Sequence, residues 1–268
     1  MPIRRTFQVM STALFAVGLL LLCSCSNETA TPSPTTPTDT TEVNAASEVA
    51  ESNVAPEGKV LRHAVFFSFK ETSSEDDVKG VVDAFRALPG KIDAITEFQS
   101  GTNNSPEGKD DGFTHCFLLT FKDDAGRSEY IPHPAHSGEF ADVLRPHMDQ
   151  VFVLDYWGTP YEPMEKELKH AVFFKFKDDA DPAAVKQVED AFAALPSKIG
   201  SIKQFEWGTN NSPEKHADGF THCFMVTFDS DEGRAEYLPH VDHMAFVEVL
   251  LPVLDKVRVL DFWGERVE

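Results

Sequence analysis

The stretch LRHAVFFSF occupies residues 61–69, and LKHAVFFKF occupies residues 168–176. Each is rich in Phe and Val and carries apolar residues on both alternating faces. That pattern predicts a strand buried on two sides. A strand of this kind needs one layer of helices and a second layer of something else.

Working outward, the two stretches head two copies of one unit. HAVFF begins at His63 and His170, GTNNSPE at Gly101 and Gly208, and DGFTHCF at Asp111 and Asp218, always 107 residues apart. After His136 and His243 the offset falls to 106, pairing Phe140 with Phe246 and Trp157 with Trp263. The second copy therefore lacks one residue near the start of a helix. The units span residues 61–158 and 168–264, with a linker at 159–167.

Each unit reads in the same order. After the first strand, Val78, Val81, Val82 and Phe85 recur at helical spacing behind Ser74. In the second copy Asp181 is placed to cap the helix and Pro182 suits its first position. Strands follow at residues 95–101 and 113–121, then a short helix carrying Tyr130. A longer helix is expected over residues 134–149 and a closing strand over 151–157. This β-α-β-β-α-β order is ferredoxin-like, an α+β class. One unit has helices for only one sheet face. The two sheets are therefore expected to pair face to face in one intrachain α/β barrel, helices outside, so that a monomer suffices.

Before residue 61 the composition changes. Arg4 and Arg5 precede an apolar run at 13–22, too short to span a bilayer. The run ends in LCSC, which resembles a bacterial lipobox. Residues 1–25 are thus expected to be a lipoprotein signal, with Cys25 the acylated residue and the protein exported and anchored to the cell membrane by lipid. Residues 26–60, rich in Thr, Pro and Ser, are expected to form a disordered tether. The net charge of −20 argues against nucleic-acid partners. Cys116 and Cys223 sit at equivalent strand positions without CxxC spacing and read as small buried residues.

Candidate chemistry centres on YIPHPAH at 130–136 and YLPHVDH at 237–243. His136 falls in the first turn of a helix, where the dipole disfavours an imidazolium. A neutral imidazole beside Tyr130 suits proton abstraction next to a carbonyl, or recognition of a phenol, acid or carbonyl by hydrogen bonds. His133 and Tyr130 equally suit satisfying a proline-containing turn. An HxxH metal site is disfavoured by Pro132 and Pro134, so no metal or other cofactor is expected.

HAVFFSFK at 63–70, GFTH at 112–115 and YIPHPAH together resemble the stress-responsive α/β barrel domain family, in both copies. Usual members form the barrel by homodimerising, and this chain looks like a fused pair. The family includes plant stress proteins and a plant polyketide cyclase. By that resemblance Tyr130 and His136, with Tyr237 and His243, are the catalytic candidates. His63, His115, His170 and His222 would lie near a pocket. Phe85 and Phe192 stand where the cyclase has a tyrosine and, with those histidines, are expected to contact the ligand. The resemblance implies a small apolar or aromatic ligand inside the barrel, with three outcomes open: a binder, a cofactor-independent lyase or cyclase, or a structural stress protein.

Overall fold

The computed structural model describes residues 55–267. The expected export signal, Cys25 and the expected tether up to residue 54 lie outside the described residues. The first repeat comprises β1 (Val60–Phe69), α1 (Glu75–Arg86), β2 (Ile95–Thr102), β3 (His115–Phe121), α2 (Asp124–Tyr130), a π-helical segment (Pro134–Phe140), α3 (Ala141–Leu144) and β4 (Met148–Gly158). The second comprises β5 (Leu168–Phe176), α4 (Pro182–Ala193), β6 (Gln204–Thr209), β7 (His222–Phe228), α5 (Asp231–Tyr237), α6 (Val241–Leu250) and β8 (Leu254–Trp263). A two-residue strand, β9 (Glu265–Arg266), follows.

The local signals act as expected. Ser74 and Asp77 form a reciprocal capping box on α1, and the Asp181 side chain accepts from the Ala183 amide ahead of α4. Antiparallel ladders give the sheet orders β4-β1-β3-β2-β9 and β6-β7-β5-β8. These are two ferredoxin-like sheets, with the chain's last strand added to the edge of the first.

Strand alternation divides the core into three layers. Leu61, Val65 and Phe67 of β1 pack with Phe85, Phe140 and Tyr130 under the first repeat's helices. Their neighbours Ala64 and Phe66 face the second sheet and meet Phe173, Cys223, Met225 and Phe262. The Phe66 and Phe173 rings lie edge to face at 5.3 Å, and Phe152 meets Phe173 at 4.9 Å. Leu168, Val172 and Phe174 pack under the second set of helices. The sheets therefore hide their second faces against each other within one chain. Cys116 and Cys223 are free thiols in that middle layer.

Three expectations are corrected. First, the two sheets do not close into one continuous barrel ladder. Their edge strands, β2 beside β8 and β4 beside β6, approach without pairing, and loop amides bridge them. The amides of Asn104 and Asn211 donate to the carbonyls of Asp261 and Asp155 across the repeats, at 2.8 and 2.9 Å. Gly101 and Gly208 permit that approach, since a Cβ on Gly101 would come within 2.4 Å of the Trp263 carbonyl. Second, the space between the sheets is filled by fully buried phenylalanines, so a ligand has no room there. Third, the expected helix over 134–149 stops at Leu144, and Met148 begins β4. The first repeat, with one more residue, runs this segment as π-helix, whose i→i+5 turn holds more residues than an α-helical one. The second repeat, one residue shorter, runs the same segment as regular α6.

Candidate functional site

Odd-numbered residues of β1 face the helices, so His63 points toward them rather than toward the other sheet. Tyr130 ends α2 and His136 lies in the π-helical segment. The Tyr130 ring centroid is 4.2 Å from that of His136 and 5.5 Å from that of His63. His133 serves the turn, its Nδ1 accepting from the Ala135 amide at 3.1 Å.

His136 Nδ1 donates to the Ile131 carbonyl at 3.0 Å, which leaves Nε2 of the neutral ring as an acceptor. Burial, only partly offset by that bond, holds His136 below its ordinary pKa. Burial is the largest cause of that direction. His63 goes the other way. Burial opposes its charge, but the nearby Asp155 carboxylate and then Glu214 outweigh burial and raise its pKa.

A buried relay holds this arrangement. His63 Nδ1 lies 2.7 Å from Asp155 Oδ1, and Asp155 Oδ2 accepts from Arg127 Nη1 at 2.8 Å. Arg127 also donates to Asp124 and, across the repeat boundary, to the Asn211 carbonyl at 3.0 Å and its Oδ1 at 2.8 Å. Nε2 of His63 faces Glu214 Oε2, from the other repeat, at 3.7 Å. The Tyr130 hydroxyl and Glu214 Oε2 are buried without a hydrogen-bond partner.

The second repeat reproduces each part. His170 Nδ1 is 2.7 Å from Asp261 Oδ1, and Arg234 donates to Asp261 Oδ2 at 2.8 Å and to Asn104 Oδ1 at 2.7 Å. His243 Nδ1 donates to the Leu238 carbonyl at 2.9 Å, and its ring lies 4.3 Å from Tyr237. His170 Nε2 faces Glu107 Oε1 of the first repeat at 3.9 Å. The Tyr237 hydroxyl is buried and unpartnered, and burial pushes its pKa well up. Here the site opens into a cavity of about 180 Å³. Its polar edge is Glu107, Lys109, His170, Tyr237 and His243, and its walls include Phe192 and Leu251.

Both halves of the chain, residues 61–158 and 168–264, match the family described as the stress responsive A/B barrel domain. The chain belongs to that family. Among A/B barrel relatives, stress-response A/B barrel domain-containing protein HS1 of Arabidopsis thaliana is 37% identical over 38% of this chain and 93% of its own length. Olivetolic acid cyclase of Cannabis sativa is 28% identical over 35% of this chain and 94% of its own length. A solved anthrone oxidase-like protein superposes on 79% of this chain and 94% of its own, with a TM-score of 0.56 at 10% identity, a likeness of fold.

The A/B barrel fold thus brings His63 to Tyr130 and His136, and His170 to Tyr237 and His243. It does not bring His115 or His222 to them. His115 lies four residues along the sheet, edge-on to Phe69 at 4.9 Å, and lines a separate groove with Arg86 and Ser100. His222 Nε2 pairs with Glu189 Oε1 at 3.1 Å. Phe85 is packed between Phe140 and Phe117, at 4.4 and 4.6 Å, in a closed core. Phe192 reaches the cavity. Among the described residues no cluster of three or more His, Cys, Asp or Glu is arranged to hold a metal ion.

Sequence reasoning missed Asp155, Asp261, Arg127, Arg234, Glu107 and Glu214. A signal existed. VLDYW and VLDFW place one acid inside an otherwise apolar strand in both copies. An unpaired buried carboxylate is costly, so that acid required a partner.

Proposed function

We propose that this chain is an exported, lipid-anchored A/B barrel protein whose second repeat binds a small aromatic molecule carrying one polar group. The observation that carries this reading is the cavity beside Tyr237 and His243. Its size, about 180 Å³, compares with the roughly 150 Å³ apolar cavity known to hold benzene in another protein. Mostly apolar walls with a few convergent polar groups are the usual make-up of a small-molecule site. Arg4 and Arg5, the apolar run and Cys25 support the export reading. Because each sheet covers the other within the chain, a monomer is the favoured state.

A second reading, a cofactor-independent lyase or cyclase, is favoured by one observation. His243 is held in the tautomer whose Nε2 accepts a proton, beside a phenol whose pKa is raised by burial. A base so placed suits proton abstraction next to a carbonyl, and the likeness to olivetolic acid cyclase fits it.

Calorimetric titration of the full chain with substituted benzenes tests the primary reading. One site per chain is expected, weakened when Leu251→Trp plugs the cavity mouth. A flat titration across alcohols, phenols and aldehydes overturns it. For any ligand found, His243→Ala separates the two readings: a binder keeps most of its affinity through apolar contact, whereas an enzyme loses turnover far more than affinity.

A further inference from the structure

Each Tyr–His pair faces a carboxylate supplied by the opposite repeat. We propose that Glu107 of the first repeat is the specificity-determining residue of the second repeat's cavity, selecting a ligand headed by a neutral hydroxyl over one headed by a carboxylate. Glu214 stands in the same relation to the first repeat's pair. This inference rests on the cavity being a ligand site.

The geometry brings two polar atoms together without bonding them to each other, so that one hydroxyl beside them can reach both. Glu107 Oε1 and His170 Nε2 are 3.9 Å apart, and Glu214 Oε2 and His63 Nε2 are 3.7 Å apart. Both separations exceed a hydrogen bond. Beside each gap a buried tyrosine hydroxyl has no partner. Unpaired buried polar groups cost free energy, and a ligand that satisfies them recovers it. Nδ1 of His170 is committed to Asp261, so Nε2 is the atom it offers. A hydroxyl oxygen fits because it plays both roles. It accepts from the histidine or from Tyr237, and it donates to Glu107.

A carboxylate fits poorly. It has no proton for Glu107 and sets negative charge against negative charge. Lys109, whose ammonium lies 2.8 Å from Glu107 Oε2, offsets part of that charge but leaves Oε1 facing His170 at 3.9 Å. In the first repeat His216 stands in the place of Lys109, and Glu214 Oε2 is left unpartnered.

Glu107 is also firmly placed. Its loop is tied to the second repeat's closing strand, where Asn103 Oδ1 accepts from the Asp261 amide at 3.1 Å and the Asn104 amide donates to the Asp261 carbonyl at 2.8 Å. The residue that orients His170 thus also anchors the loop that brings Glu107 opposite it.

Benzyl alcohol and benzoate share a ring and differ in the head group. Calorimetry on the full chain at neutral pH is expected to show the alcohol preferred by about tenfold or more, the scale of one hydrogen bond to a charged group. E107Q removes the repulsion and frees Lys109, so benzoate is expected to gain on the alcohol until the preference is lost or inverted. Equal affinities in the wild-type chain overturn the inference alone, whether or not E107Q folds, and leave the cavity reading standing. So does a wild-type preference that E107Q, checked as folded by its melting temperature, leaves unchanged. Binding of neither compound, with a flat response to the wider benzene panel, overturns both.

Discussion

The two repeats hold the same polar groups in different frames. His63–Asp155–Arg127 and His170–Asp261–Arg234 agree within 0.1 Å at both bonds of the relay. Around them the walls differ. The first repeat runs its site segment as π-helix and has Arg145 and Met148 where the second has Leu251 and Leu254. The second repeat's α6 exposes Val241, Met244 and Val249, Leu251 just beyond it is exposed too, and Leu250, Leu251 and Leu254 line the cavity. Duplicated polar chemistry has been kept while the apolar setting has diverged. A one-residue insertion can redirect a helix, but a buried ion pair tolerates no unmatched change.

The sharpest way to break this equivalence is to remove one arginine at a time. Arg127 and Arg234 are buried, and each neutralises a carboxylate with no solvent exposure. Arg127→Ala and Arg234→Ala are each expected to destabilise the fold by about 3–5 kcal/mol, the usual cost of stranding one member of a buried pair. Chemical denaturation measures it. A cost below about 1 kcal/mol in one repeat, with several in the other, ends the claim that the relays are interchangeable.

Much of this was legible beforehand, for identifiable reasons. The twofold repeat, the strand and helix order and the sheet-on-sheet packing follow from short-range pattern plus one rule, that an apolar sheet face must be covered. The offset change from 107 to 106 marked where the frames diverge, although not that the longer copy would turn π-helical. The side on which the site lies was not legible. β1 is apolar on both faces, so alternation does not say which face meets helices. His63 and His115 share a face, yet β1–β3 register pairs His63 with Leu119 and His115 with Phe67, at opposite ends of the ladder. Glu107 and Glu214 act across the repeat boundary, and no local spacing encodes that.

A smaller effect sharpens the comparison. The Tyr130 and Tyr237 hydroxyls are both buried and unpartnered. Tyr130→Phe and Tyr237→Phe should therefore each stabilise the ligand-free protein by about 1 kcal/mol, raising Tm by roughly 2–4 °C. Only Tyr237→Phe should weaken binding in the second repeat's cavity. Loss of stability in either variant means that the hydroxyl is satisfied after all, and the tyrosine is then structural.

The finest test concerns protonation, where the two histidines of one site should part company. Burial holds His136 and His243 below the ordinary value of 6.5. Burial also disfavours charge on His63 and His170, but Asp155 and Asp261 overcome it and raise them. A raised histidine stabilises the fold fully below pH 6.5, and this fades as pH climbs through its folded value. A lowered histidine does the reverse: its contribution is whole above pH 6.5 and declines as pH falls through its folded value. Burial works against ionising Asp155 and Asp261 too, yet His63, His170 and the arginines keep both below the ordinary 3.8. Their share is present above pH 3.8 and lost in acid. Near pH 6.5 the histidine contributions oppose one another in a bulk melt, so the imidazoles must be followed individually by NMR. In both repeats the strand histidine should titrate above 6.5 and the helix histidine below it. The same order in both repeats means the relay sets the protonation states whatever the walls, whereas inversion in one means the wall controls the charge, and a base at His136 or His243 then has no footing there.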